Sequence, residues 1–310
     1  MSFIIDVKGL TKVFKEITAV DELSFSVNKG EVYGFLGQNG AGKSTTIRML
    51  LTLIRPTSGS ISILGKDLLH HRKEVLQQSG AIIEKPDLYK YLTALENISI
   101  MAKLSGVKLT KKELMYQLER VGLQERANSK VKTFSQGMKQ RLGIACALVH
   151  NPQLIILDEP TNGLDPQGIA DVRNLILSLS KDEGKTIFVS SHLLGEIEMI
   201  ADSLLIIDKG RKVAEGKSSE LLHPSETLVL LETDNDDRTK AILQGSQWDN
   251  YLQQEAANIT LKMHRDVVPQ LNNFLVQNNI AVFALRSKHS LEDYFLSLTT
   301  ANQHVDPYQN

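Results

Sequence analysis

The chain of 310 residues contains a single cysteine, Cys146, set in the apolar stretch IACALV. One cysteine excludes a disulfide framework and fits a reducing compartment, and its apolar neighbours make it a packing residue. No stretch approaches the roughly 18 uninterrupted apolar residues of a membrane helix. The first residues, MSFIIDVKGL, lack the charged segment and long apolar run of a secretory signal. The expectation is a soluble protein whose membrane role, if it has one, comes through a partner. Neither sign of charge is in excess: 35 Lys and Arg stand against 36 Asp and Glu. That balance argues against a general nucleic-acid binder, which needs a basic patch. Internal repeats and low-complexity tracts are also lacking. What is there, 42% hydrophobic and 23% charged residues, is ordinary globular composition. The length suffices for one large domain or two unequal ones.

From residue 31 to about 215, short apolar runs alternate with amphipathic helical patterns. EVYGFLG (31–37), AII (81–83), QLIILD (153–158) and KTIFVSS (185–191) read as strands, the last two as the continuous apolar kind that a buried parallel sheet uses. TALENISIMAKLSG and TKKELMYQLERVG read as helices opened by capping boxes, Thr93 with Glu96 and Thr110 with Glu113. Asp165 caps a further helix that has Pro166 at its first position. SLLIIDKGRKVAEG is a hairpin turning at Lys209-Gly210. Before residue 31, FIIDVKGLTKVF and AVDELSFSVNKG look like antiparallel edge strands. After about residue 222, polar loops (HPSE, ETDNDDRTK) bracket the strand TLVLLE. NITLKMH, VVPQLNNFLVQNN, IAVFALRS and SLEDYFLSLT then read as strand, helix, strand and helix. The class is α/β with a mostly parallel core.

GFLGQNGAGKSTTIRML places Gly37, Gly42, Lys43 and Ser44 in the spacing GxxxxGK[ST] between a strand and a helix. That context makes it a phosphate-binding loop. Its glycines let backbone N–H groups turn inward, and the helix N-terminus adds positive potential. Lys43 neutralises β- and γ-phosphates, and Ser44 offers a hydroxyl to Mg²⁺. In LIILDEP, four apolar residues carry Asp158 to the end of a buried strand, where a carboxylate can hold Mg²⁺ directly or through water. Glu159 beside it suits a general base for an attacking water. FSQGM raises a separate question, since Gly137 stands in the opening turn of a helix capped by Ser135.

These motifs, in this order, resemble those of the ATP-binding subunits of ABC transporters, and the resemblance runs from residue 1 to about 222. GQNGAGKST is similar to the Walker A motif, LIILDEP to Walker B, FSQGM to the signature motif, NGLDP to the D-loop and SSH to the switch histidine. The resemblance implies a P-loop NTPase core with a mostly parallel sheet and an N-terminal antiparallel β edge. It implies an α-helical signature subdomain (about 85–150) within an ATP-binding domain (1–222), followed by a small C-terminal α/β module (223–310). It further implies ATP hydrolysis with Mg²⁺ by a head-to-tail dimer, formed with itself or a related subunit. That dimer would sit at the cytoplasmic face of the cell membrane beneath a separate permease.

Carried over by residue, Gly37, Gln38, Asn39, Gly40, Ala41, Gly42, Lys43, Ser44 and Thr45 cradle the phosphates. Ser44 and Asp158 support the metal, Glu159 is the catalytic base, and His192 contacts the γ-phosphate. Ser135 and Gly137 close on the partner's ATP, Asp165 links the two sites, and Phe14 stacks on adenine. Leu88, Tyr89, Tyr91 and Leu92 form part of the groove that receives the permease.

Two departures stand out. The usual LSGGQ is here FSQGM. The usual glutamine that reaches Mg²⁺ is Glu84, a feature of subunits resembling the bacitracin- and lantibiotic-type exporters. Its carboxylate is expected to approach the metal with Ser44 and Asp158, adding a negative charge near the phosphates. The rival reading is a soluble ABC ATPase of translation or DNA maintenance, although only one ATPase unit and no long heptad tract are present. A small-molecule P-loop kinase would need neither the signature helix nor the Asp-Glu pair.

Overall fold

The structure, a computed structural model, describes residues 3–221, 226–253 and 259–288. It divides into two compact units, Met1–Ser218 and Ser219–Asn310.

In the first unit, β1 (Phe3–Phe14) and β2 (Ile17–Asn28) form the expected antiparallel hairpin. Ile5, Val7 and Leu10 of one strand and Leu23, Phe25 and Val27 of the other point into the core. β3 (Val32–Leu36) is buried throughout and leads through the glycine loop into α1 (Lys43–Leu50). β4 (Ser58–Ile63) and β5 (Lys66–Asp67) return to the hairpin, giving an antiparallel sheet of order β2-β1-β4-β5.

After α2 (Arg72–Gln77) and β6 (Ser79–Ile82) come α3 (Ala94–Leu104) and α4 (Lys111–Arg120). Both of these helices carry the expected reciprocal capping boxes. α5 (Gln136–Leu148) completes the helical layer with Leu142, Ala145 and Leu148 buried. The sheet resumes as β7 (Leu154–Asp158), α6 (Pro166–Lys181), β8 (Thr186–Ser191), α7 (Leu194–Glu198), β9 (Ser203–Asp208) and β10 (Arg211–Lys217). The six strands run in the order β10-β9-β3-β8-β7-β6, and all neighbouring pairs except β10-β9 are parallel. β3, β7 and β8 therefore lie side by side, so the residues that follow them gather at one edge. That is where open α/β sheets bind ligands.

Four aromatic residues join the two sheets of this unit. Phe25 packs against Tyr33, Phe35 and Phe188 with ring centroids 5.9–6.1 Å apart. Each such contact adds about 0.5–1.5 kcal/mol beyond its buried area. This cluster fixes β3 and β8, and with them the loops at their ends.

α8 (Ser218–Leu221) starts on the last residue of the first unit, and the second unit continues with β11 (Glu226–Thr233), α9 (Asp236–Gln244), β12 (Ile259–His264), α10 (Val268–Gln277) and β13 (Val282–Lys288). Its strands form an antiparallel sheet of order β12-β11-β13 over a core of Val229, Leu231, Leu261, Leu271 and Trp248. α9 corrects the sequence reading, which took ETDNDDRTK for a polar loop. Asn235 caps the helix by accepting from the Arg238 N–H at 3.0 Å, and Asp236 and Asp237 sit favourably in its first turn. Only Thr239 and Leu243 of α9 are buried, so its apolar period is too sparse to read. The expected terminal helix SLEDYFLSLT lies outside the described residues.

Candidate functional site

The loop between β3 and α1 can be built only with glycine at two points. A Cβ on Gly37 would lie 2.8 Å from the Ile207 carbonyl oxygen. One on Gly42, which has φ 105°, would lie 2.6 Å from the Ala19 carbonyl oxygen. The loop is pinned by the Gly210 N–H, which donates to the Ala41 carbonyl at 2.9 Å, so the hairpin turn at Lys209-Gly210 braces it. Gln38, Asn39 and Gly40 are exposed at its crest. No side chain caps α1. Its first N–H groups, those of Lys43, Ser44 and Thr45, therefore face the loop as an anion site.

Lys43 is only 5% exposed. Its Nζ donates to the Gly37 carbonyl at 2.6 Å and to the Gln38 carbonyl at 3.2 Å, and lies 3.2 Å from Glu159 Oε1. Glu159 follows β7 at φ 48°, and its second oxygen lies 2.5 Å from His192 Nδ1. Asp158, at the end of β7, is 1% exposed. One of its oxygens accepts from the Ser190 hydroxyl at 2.6 Å, while the other is buried without a hydrogen-bond partner. Such an orphaned carboxylate oxygen is costly unless something fills its place. A hard cation held by oxygen ligands fits that position, and Ser44 carries a hydroxyl in the first turn of α1.

The structure thus brings together Lys43, Asp158, Glu159 and His192, which are scattered over 150 residues of sequence. Ser190 joins them unannounced. Its hydroxyl donates to Asp158, and it accepts from the Glu159 N–H at 3.0 Å, so one buried serine orients both acids. The signal was a pair of serines ending the apolar run TIFVSS.

Glu84, at φ 59°, pairs its carboxylate with Arg48 Nη2 of α1 at 2.8 Å. A guanidinium this close compensates the charge that the glutamine-to-glutamate departure introduced. Phe14, 45% exposed at the end of β1, is not a core residue, and Lys12 Nζ lies 4.9 Å from its ring centroid.

Ser135 and Asp165 cap α5 and α6, accepting from the Met138 and Gly168 N–H groups, both at 3.2 Å. Gly137 sits between these helix starts. A Cβ there would meet only Gly168 Cα, at an ordinary 3.5 Å. Nothing among the described residues requires glycine at 137.

On the flank between β6, α3 and α5 lies a cavity of about 380 Å³ lined by Pro86, Leu88, Met101, Cys146 and His150. Tyr89 and Tyr91 are exposed in the same segment. Burial pushes the Cys146 thiol up to about 12.

A family model described as ABC transporter matches residues 20–162. The bacitracin transport ATP-binding protein BcrA of Bacillus licheniformis is 46% identical over 302 residues, covering 96% of this chain and 98% of that protein. The chain belongs to the ATP-binding subunits of ABC transporters. The lantibiotic transport ATP-binding protein SrtF of Streptococcus pyogenes is 43% identical over 209 residues, 67% of this chain and 89% of its own. Among solved structures, the ATP-binding cassette MJ0796, a post-hydrolysis dimer bound to ADP and Pi, shares the fold with TM-score 0.62. It is 26% identical and covers 69% of this chain and 98% of its own.

The chain is thus an ATP-binding, ATP-hydrolysing subunit of a transporter, and the rival of a soluble ABC ATPase falls away. ATP-binding subunits of this family work as dimers with separate membrane permeases. No described helix of this chain is long and apolar enough to cross a membrane.

Proposed function

We propose that this subunit powers outward transport of a peptide-antibiotic-like molecule through a separate permease, acting peripherally at the cytoplasmic face of the membrane. The identity with BcrA and SrtF across the ATP-binding unit supports that substrate class. The observation that carries the chemistry is the chain Lys43–Glu159–His192 beside the orphaned oxygen of Asp158.

In this reading the N–H groups from Gly37 to Thr45 and the Lys43 ammonium bind the β- and γ-phosphates of ATP, and Phe14 covers the adenine. Ser44 and Asp158 hold Mg²⁺, which when bound neutralises charge on the phosphate oxygens. Glu159 accepts the proton of the attacking water. His192, held by Glu159, donates toward the γ-phosphate. Ser135 and Gly137 of a second subunit complete the phosphate site, with Asp165 at the same seam. ATP then belongs to the interface, so its presence favours the closed dimer and hydrolysis opens it. Glu84, balanced by Arg48, lies on the loop that leads to the docking cavity beside Leu88, Tyr89, Tyr91 and Leu92. That cavity receives a cytoplasmic helix of the permease.

The test is to express tagged Glu159→Gln protein in its native cell, add Mg-ATP, solubilise the membranes gently and identify what co-purifies. A stoichiometric multi-span membrane protein is expected. Recovery with ribosomes or DNA-processing factors, or with no membrane protein, would overturn the proposal.

A further inference from the structure

β7 and β8 pair in parallel register up to Asp158 opposite Ser190. Side chains carry the pairing past the end of the sheet. The Ser190 hydroxyl bonds Asp158 and the Glu159 N–H, and His192 bonds Glu159. One turn further on, the Thr161 hydroxyl donates to Glu196 Oε2, tying the segment after Glu159 to the helix after His192.

We propose that the Thr161–Glu196 hydrogen bond is a positioning latch that sets the geometry between Glu159 and His192 and passes to His192 any shift of the loop leading to Asp165. The inference rests on the roles given above to Glu159 and His192.

Four observations support it. Glu159 is a non-glycine residue at φ 48°, a conformation that persists only where neighbouring contacts over-determine it. Packing does not supply those contacts on the outer side. A cavity of about 280 Å³ flanks the latch, lined by Pro160, Thr161, Glu196, Met199 and Ile200. Nor is Glu196 engaged by a cation. The nearby Arg173 places Nη1 2.8 Å from Met199 Sδ, and among the described residues Glu196 has no salt bridge. The hydroxyl of Thr161 is what holds the carboxylate, and through it the two segments keep their spacing. Thr161 lies four residues before Asp165, which caps α6, so movement at that seam reaches Thr161 first.

The test is a double-mutant cycle in steady-state ATPase assays of the full chain, with thermal melts to confirm folding. Thr161→Val and Glu196→Ala should each lower kcat roughly tenfold, the worth of one charge-assisted hydrogen bond, with KM for ATP within about twofold. The double variant should also be down roughly tenfold, because the two residues act as a unit. Thr161→Ser and Glu196→Gln, which keep donor and acceptor, should stay within about threefold of the parent. Multiplying losses in the double variant, a change confined to KM, or failure of Thr161→Ser to restore kcat would each overturn the latch. If the base assignment itself is wrong, Glu159→Gln will retain turnover, whatever the cycle shows.

Discussion

Lys43 Nζ lies 3.2 Å from Glu159 Oε1, so the ammonium that the phosphate loop presents already has an anionic partner. The same carboxylate holds His192 with its other oxygen. Lys43 is nearly buried, and a buried ammonium requires a counter-charge. In the proposed reading, a phosphate arriving at Lys43 replaces one anion with another and frees Glu159 for the water it would activate. Binding and the arming of the base are then two consequences of a single exchange.

Glu159→Gln separates those consequences. The amide keeps the shape and can still accept from His192, but it neither takes a proton nor competes for Lys43 as an anion. Turnover should fall by roughly 10²–10⁴, the usual contribution of a positioned base. ATP affinity should be at least that of the parent. Phosphate release and fluorescent-nucleotide titration measure the two separately. Near-normal phosphate release would remove Glu159 from its role.

Gly137 makes a sharper case because nothing among the described residues demands glycine there. A Cβ there meets nothing closer than 3.5 Å, so Gly137→Ala should fold with a melting temperature close to the parent's. Monomer affinity for ATP should be unchanged as well. A bulkier Gly137→Leu should abolish ATP-dependent dimerisation in the Glu159→Gln background, read by light scattering. Loss of monomer affinity in the leucine variant would show that the glycine acts within its own site and not on the partner's nucleotide.

Ser190→Ala strips partners from Asp158 Oδ1 and from the Glu159 N–H at once. Leaving such buried groups unsatisfied costs about 2 kcal/mol, which in a unit of this size lowers the melting temperature by roughly 4–8 °C. Turnover should fall too, since both acids lose their alignment. Ser190→Thr keeps the hydroxyl and should recover most of each loss. Calorimetry beside ATPase assays checks this, and an unshifted melt for the alanine variant would mean that water replaces the hydroxyl without penalty.

Much of this was legible in sequence because it is local. The capping boxes at Thr93 and Thr110, the turn at Lys209-Gly210 and the glycine loop each depend on residues within a few positions of one another, and all formed as read. The strands ending in Asp158 and Ser191 were legible because complete burial leaves an uninterrupted apolar run. The misses share a different cause. α9 buries two residues and leaves no period to detect. Arg48 and Glu84 are 36 positions apart, and Ser190 and Asp158 are 32 apart. Such pairs are products of strand order, which no local pattern encodes. The residue types that do chemistry were visible, but the side chains that aim them were not.

His150 tests the wall of the cavity between β6, α3 and α5 by a route independent of nucleotide. Its Nε2 lies 3.1 Å from the Ser79 carbonyl oxygen, which makes Nε2–H the donor, while Nδ1 is buried without a partner. Burial holds its pKa below the ordinary 6.5, with Lys185 adding to the depression. The unfolded chain therefore takes up the proton first as pH falls. The contribution is fully present above about pH 6.5 and is lost as pH drops through the lower folded value. His150→Gln keeps a side-chain donor and removes the titration. Urea midpoints measured from pH 7.5 to 5.5 should decline more steeply in the parent than in the variant. Parallel curves would mean that the imidazole charges freely in the folded state, and that the cavity wall is wetter than the structure has it.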